Sequence, residues 1–443
     1  MIPSPAFVAR TLCPFLPLLL VSTPLLAQQA PAGYETTSTP LPAGASAVLQ
    51  TPSGIVLCTG TELQLHASGQ PAQTLLSLPS FAFGSFTIPV GSQHVLFGEN
   101  TTNRLWLVPL AGPAPSSPLA TVTFNYDAVL LTPQTALLSA KLGGFATPDN
   151  DLVALDLTNG SWTSIASLPG ASGPLALLDN GDVLYATSSL AFPTPPGTAE
   201  LLRFPRATID QAIANQTVLG PNSATVVLGG LDAASDLAVD DDGDVFYVDW
   251  MQNNVREIHD VGSSQALLGA PLLGYVGTPV SPAALQFVPG AGIGVFEPFQ
   301  PRNGTLLVHA TDFGSTNQLS SVVAAEAAVA LSGPSPLPSG PFSFDVSGGP
   351  ANGMALLVFD LQSPVGPMPM FLGGYEQPLW WEAALLGSTT VEVLAQLDGT
   401  GAISLASTNP GLVGLPSALV QVGFVSTDGV LGATAPRAFL VGP

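Results

Sequence analysis

Charge is what this 443-residue chain has least of. Asp, Glu, Lys and Arg together make up 9% of it, against roughly a quarter in an average globular protein. Eight basic residues, with Lys141 the one lysine, stand against 30 acidic ones, for a formal net charge of -22. Phosphate backbones are bound by clustered Lys and Arg, so nucleic acid is excluded as a partner. Cysteine is nearly absent: Cys13 lies in an N-terminal apolar stretch and Cys58 within the strand-like run GIVLCTG. Without a second thiol in the mature chain there is no internal disulfide, and Cys58 reads as a small hydrophobe. Beyond the first 26 residues no apolar run is long enough to span a bilayer. What the chain does have is 46% hydrophobic residues, 46 Gly and 44 Pro. That apolar content excludes disorder, and short apolar runs separated by turn residues indicate an all-β protein.

The N-terminus, MIPSPAFVARTLCPFLPLLLVSTPLLAQQ, carries one charge, Arg10, before an apolar stretch that ends at the small residue Ala27. Residues 1–27 are therefore expected to be a signal peptide, and the mature protein to be secreted, periplasmic or on the cell surface.

The strongest internal signal is repetition. LALLDNGDVLYAT at 175–187 returns as LAVDDDGDVFYVD at 237–249, and looser versions stand at 48–60, 86–98, 128–140 and 285–297. Each is an apolar strand, a turn and a second apolar strand, and most are followed by a third, as in ELQLHA, RLWLVPL and NVREIHD. Six four-stranded units over 28–322 predict a six-bladed β-propeller, since one blade cannot bury both its faces alone but a ring of blades can. In DDDGD and DNGD the Asp, Asn and Gly residues supply the left-handed backbone of a tight hairpin, so these acids read first as turns. The fourth unit carries two excess segments, SLAFPTPPGTAE and RFPRATIDQAIANQTVLGPNS, expected to project as loops. A Pro/Gly/Ser-rich linker at 323–341 then leads to strands over 342–443 that predict a small C-terminal β-sandwich.

Residues 237–258, LAVDDDGDVFYVDWMQNNVREI, resemble an NHL repeat. The likeness implies a propeller presenting loops as a binding face, without naming an activity. The tail, through GPFSFDVSGGPANGMALLVFDL, TVEVLAQLDGTGAISL and LPSALVQVGFVSTDGV, resembles a Gly-rich terminal β-module of secreted planctomycete-type bacterial proteins, which implies export or surface retention.

Three constellations bear on chemistry. The acids Asp240, Asp241, Asp242 and Asp244 could gather calcium at the surface, though Ala238 occupies the first place of what would be an EF-hand loop. Glu99, Asn100, Asp249 and Glu297 stand at comparable strand ends of separate units and could converge on a metal in a central funnel. In six-bladed lactonases and esterases, calcium held by such residues polarises a carbonyl. Trp380 and Trp381 could contact a ligand, one of them facing out of a strand. The histidines His66, His94, His259 and His309 show no metal-ligand spacing, and the first, third and fourth of them are expected on third strands, toward the outside. No catalytic set is apparent. The expectation is therefore a monomeric, non-catalytic binding or display protein for an extracellular or envelope protein or carbohydrate, with no cofactor required. The alternative is a calcium-dependent lactonase or esterase using the funnel.

Overall fold

Apolar runs bounded by Gly, Pro and Asp turns pair most readily with their chain neighbours through short antiparallel hairpins. The structure, a computed structural model, describes residues 30–440 except 32, 145, 191–194, 242, 260, 263–265, 291–295, 297–303, 333–340, 361–389, 409–416, 428, 435 and 436. The expected signal peptide, Asp242, Glu297, Trp380 and Trp381 thus lie outside the described residues. Six four-stranded antiparallel sheets follow one another, arranged like propeller blades. Their first strands are Ser46–Thr51, Gly84–Val90, Asn125–Thr132, Leu175–Leu177, Ala234–Val239 and Ser281–Pro289. Each touches the first strand of the next sheet, and the last touches the first. All six first strands line one cavity, called the channel below. Five sheets take four consecutive strands. The sixth takes its outer strand from Tyr34–Leu41, which pairs with Asn317–Ala324.

The second strand of each sheet explains why the chain is so apolar. Val95, Leu96 and Phe97 are all fully buried because Val95 and Phe97 pack toward the first sheet while Leu96 packs toward the third. Val183, Leu184 and Tyr185 divide in the same way between the third and fifth sheets. A strand covered on both faces has no room for charge, so the usual alternation of apolar and polar residues disappears.

Buried apolar clusters join the first sheet to the second, the second to the third, and so on to the sixth. The sixth and first sheets meet through a polar seam. There the Gln50 N–H donates to Gln286 Oε1 at 2.7 Å, and Gln286 Nε2 donates back to the Gln50 carbonyl at 2.9 Å.

Two expectations are corrected. The second strand of the sixth unit is Gly304–Thr311 and not the GIGVF run at 292–296, so His309 lies on a second strand. The polar insertion of the fourth unit, expected to be loop, contains the helix Arg206–Asn215, anchored by buried Ile209 and Ala212. The turns behave as expected, with Gly181 and Gly243 at φ of 83° and 94°. After Ala324 the pairing changes. Ala328–Ser332, Pro341–Ser347 and Ile403–Thr408 form one sheet, and Met354–Asp360, Thr390–Gln396, Ser417–Val425, Leu431–Ala433 and Arg437–Leu440 another. They share an apolar cluster that includes Phe344, Leu357 and Phe424.

The seam yields a test. Gln286→Ala leaves a backbone N–H and a carbonyl of Gln50 without their partners, and is expected to cost about 2 kcal/mol in urea unfolding. Gln286→Glu, which keeps the acceptor, is expected to cost less.

Candidate active site in the central channel

Five of the six first strands enter their sheets through a register shift, between Ser46 and Leu49, Gly84 and Phe86, Asn125 and Asp127, Ala234 and Leu237, and Pro282 and Ala284. Such bulges re-aim side chains. They lie at one end of a cavity of about 1170 Å³ lined by all six first strands.

In the third and fifth sheets the bulge presents an aspartate to this cavity. Asp127 accepts the Ala128 N–H at 2.7 Å and, from the next sheet, the Leu175 N–H at 2.7 Å. Asp236 repeats the arrangement, accepting Leu237 N–H at 2.8 Å and Leu285 N–H at 2.6 Å. Each carboxylate thus stitches its own sheet to the following one and is held rigidly. The fourth sheet's first strand is only three residues long, and across it the Tyr126 hydroxyl donates to the Ser235 carbonyl at 2.9 Å. This brings the entrances of the third and fifth sheets together.

Burial raises both carboxyl pKa values. Asp127 is pushed up to about 6 by desolvation, against which its two backbone hydrogen bonds act. Asp236 is raised well above the ordinary range, first by burial and then by the charge of Asp127. Both carboxyls are thus held toward the protonated form, Asp236 further than Asp127 because the charge of its neighbour adds to burial. Tyr126 is kept neutral by burial and by both acids. The Nζ of Lys141, also on the channel wall, donates to the Asp149 and Gly170 carbonyls at 3.0 and 2.9 Å. His309 reaches the wall as well, and burial lowers its pKa to about 4, so it is uncharged.

The residues expected to hold a funnel metal are placed differently. Glu99 is buried and spends its carboxylate on its own turn, accepting the N–H groups of Thr102 and Arg104 at 2.8 and 3.1 Å and the Thr102 hydroxyl. Asp249 does likewise with the Gln252 N–H at 3.0 Å and the Tyr247 hydroxyl at 3.2 Å. Asn100 lines the channel, whereas Glu99 and Asp249 do not.

Among the expected surface-calcium acids, Asp240 caps its turn by accepting Gly243 and Asp244 N–H at 3.1 and 2.9 Å, and Asp244 turns inward. Asp244, Glu257 and His259 bring ligand atoms within 4.8 Å of one another. Comparison with the preceding sheet sharpens this. There Asp182 precedes the second strand and is neutralised by Arg203 at 2.6 Å. The place of Arg203, opposite the second residue of the strand, is taken in the fifth sheet by Glu257. Two carboxylates and an imidazole compose an oxygen and nitrogen set of the kind divalent cations take.

Asp127 and Asp236 were not found by reasoning from motifs. Their signal is faint but present: in YDAVLL and SDLAVD an aspartate stands immediately before the apolar run of a repeat.

No protein-family model matches the chain, and no curated protein is similar to it in sequence. Solved structures are similar in fold. Virginiamycin B lyase from Staphylococcus aureus gives a TM-score of 0.40 at 10% identity, over 65% of this chain and 99% of its own. Regucalcin from Agrobacterium tumefaciens, a calcium-binding protein, gives 0.42 at 15% identity over 65% and 93%. A luciferin-regenerating enzyme gives 0.41 at 10% over 64% and 95%. These likenesses are of fold alone, and none of them singles out an NHL-repeat protein or a planctomycete-type module.

The expectation of a non-catalytic binding or display protein is corrected at this point. The channel holds two carboxyls of equivalent position, each with its pKa raised by burial, that no repeat pattern revealed. Among the described residues no helix is long and apolar enough to cross a membrane.

Asp127 makes stability depend on pH with a definite sign. Its folded pKa, about 6, lies above the ordinary 3.8, so the folded state binds this proton more tightly. The contribution of Asp127 is then full below pH 4 and is lost as pH rises through about 6. Asp127→Asn has no such proton to lose. Its stability relative to the parent chain is expected to improve between pH 4 and pH 7 in urea unfolding.

Proposed function

We propose that the chain is an acid–base hydrolase of esters or lactones, working in the channel of a closed six-bladed propeller. The observation that carries the proposal is the Asp127–Asp236 pair: two carboxyls of equivalent position, fixed by backbone N–H groups, facing one cavity, both raised in pKa by burial and Asp236 further by the charge of Asp127. In this reading ionised Asp127 takes a proton from water as the water oxygen adds to the acyl carbon. Protonated Asp236 gives its proton to the leaving oxygen as the C–O bond breaks. The products are a carboxylic acid and an alcohol, or a hydroxy acid from a lactone, and one proton passes from Asp236 to Asp127. Return of that proton through solvent resets the pair. Tyr126, which the pair keeps neutral, braces Ser235 beside Asp236. Export by the N-terminal segment would place this activity outside the cytoplasm.

The test is a panel of p-nitrophenyl esters and lactones. The rate is expected to rise with pH through about 6 as Asp127 ionises and to fall again at higher pH as Asp236 loses its proton. Asp127→Asn and Asp236→Asn are each expected to lower kcat/KM by at least about 100-fold. Variants that fold as the parent chain does and retain full activity overturn the assignment. Loss of activity in EDTA with recovery on calcium would move the chemistry to a metal-assisted route.

A further inference from the structure

The mouth of the channel carries a second feature that the carboxyl pair does not use. Phe83, Phe124, Trp250 and Phe313 line the same cavity and are 37%, 39%, 36% and 59% exposed. They come from different sheets but from one end. Phe83 and Phe124 precede the first strands of the second and third sheets, and Trp250 and Phe313 follow the second strands of the fifth and sixth. Antiparallel pairing puts those two kinds of position side by side, as in Ala234 opposite Asp249 and Ser281 opposite Thr311.

These rings sit on braced backbone. The N–H of Phe83 donates to Thr101 Oγ1 at 3.1 Å, that of Phe124 to Asn103 Oδ1 at 2.8 Å, and that of Phe313 to Thr311 Oγ1 at 2.9 Å. Phe124 and Phe313 have φ of 47° and 57°, a left-handed conformation that a bulky residue adopts only under constraint. Exposed aromatic rings carried on braced backbone at one opening offer a preorganised recognition surface.

Charge indicates what that surface accepts. Among the described residues no arginine lines the channel, and its one lysine, Lys141, already donates to two carbonyls. The carboxyls of Asp127 and Asp236 lie inside, in a chain of net charge -22. Negative ligands are repelled, whereas the faces of aromatic rings attract cations.

We infer that Phe83, Phe124, Trp250 and Phe313 form a binding rim for an organic cation with an apolar body, so that the substrate of the channel is an ester or lactone bearing an amine or quaternary ammonium group. The substrate class rests on the hydrolase reading above; the rim itself does not. The test is isothermal titration of the full chain with benzyltrimethylammonium, benzyl alcohol and phenylacetate. The ammonium ion is expected to bind at least tenfold more tightly than the alcohol, and phenylacetate more weakly than either. Phe124→Leu and Phe313→Leu, which keep apolar area but remove the ring face, are each expected to weaken the ammonium ion at least threefold and to leave the alcohol within twofold. Equal binding of ammonium and alcohol, preference for phenylacetate, absence of binding by every probe, or leucine variants that bind as the parent chain does would each overturn the inference. Binding of the ammonium ion by a protein that hydrolyses no ester would sustain the rim and remove the hydrolase reading. Hydrolysis of neutral esters without preference for cationic ones would do the reverse.

Discussion

The arrangement of the six sheets depends on apolar packing between neighbours, which joins them at every junction but that of the sixth with the first. A single four-stranded sheet of this size exposes two apolar faces, and it is stable only because each face becomes the inside of a contact with the next sheet. Val95 and Leu96, adjacent in sequence, serve two different cores. The composition follows from that double burial: few charges, because few strand positions face water, and many glycines and prolines, because the sheets are connected by tight turns. The channel is what remains at the centre when six such wedges are packed around an axis, and its walls inherit the rigidity of the cores behind them.

Within that frame Asp127 and Asp236 have two roles that reinforce each other. By accepting an N–H from the next sheet they tie the first strands together near the channel mouth, and the same hydrogen bonds hold their carboxyls in place. Backbone donors favour the ionised form, burial favours the protonated form, and burial wins at both positions. At Asp236 the charge of Asp127 adds to burial, so similar residues in equivalent positions are shifted unequally. A site of this kind needs no strained side chain, since its pKa values come from where the ring places the residues.

Much of the architecture was legible in the repeats. The cassette of strand, turn and strand showed six units, and Asp or Asn before Gly marked the hairpins that Gly181 and Gly243 make. The failures have local physical causes. LQFVPGAGIGVFE has the composition of a cassette, but its partner strand begins at Gly304, and His309 was displaced with it from the outside to the channel wall. Glu99 and Asp249, expected at the funnel because they end strands, also accept N–H groups of their own turns. The aspartates that do reach the channel depend on bulges, and one shifted residue exchanges the face that every later side chain occupies. Nothing in Tyr126-Asp127-Ala128 announces that shift.

The outer strand Tyr34–Leu41 lies some 280 residues from its partner, with Ser38 and Ser320 separated by 282 positions. Chain length adds little to the entropy of closing so large a loop, but contacts between distant segments form late. During folding the edge of Asn317–Ala324 is therefore a bare row of hydrogen-bonding groups that waits for a segment made long before it. At high concentration the first suitable strand to arrive can come from another molecule. The outer strand of the sixth sheet thus ties the start of the described chain to a segment some 280 residues later, and that sheet has all four of its strands only when both are in place.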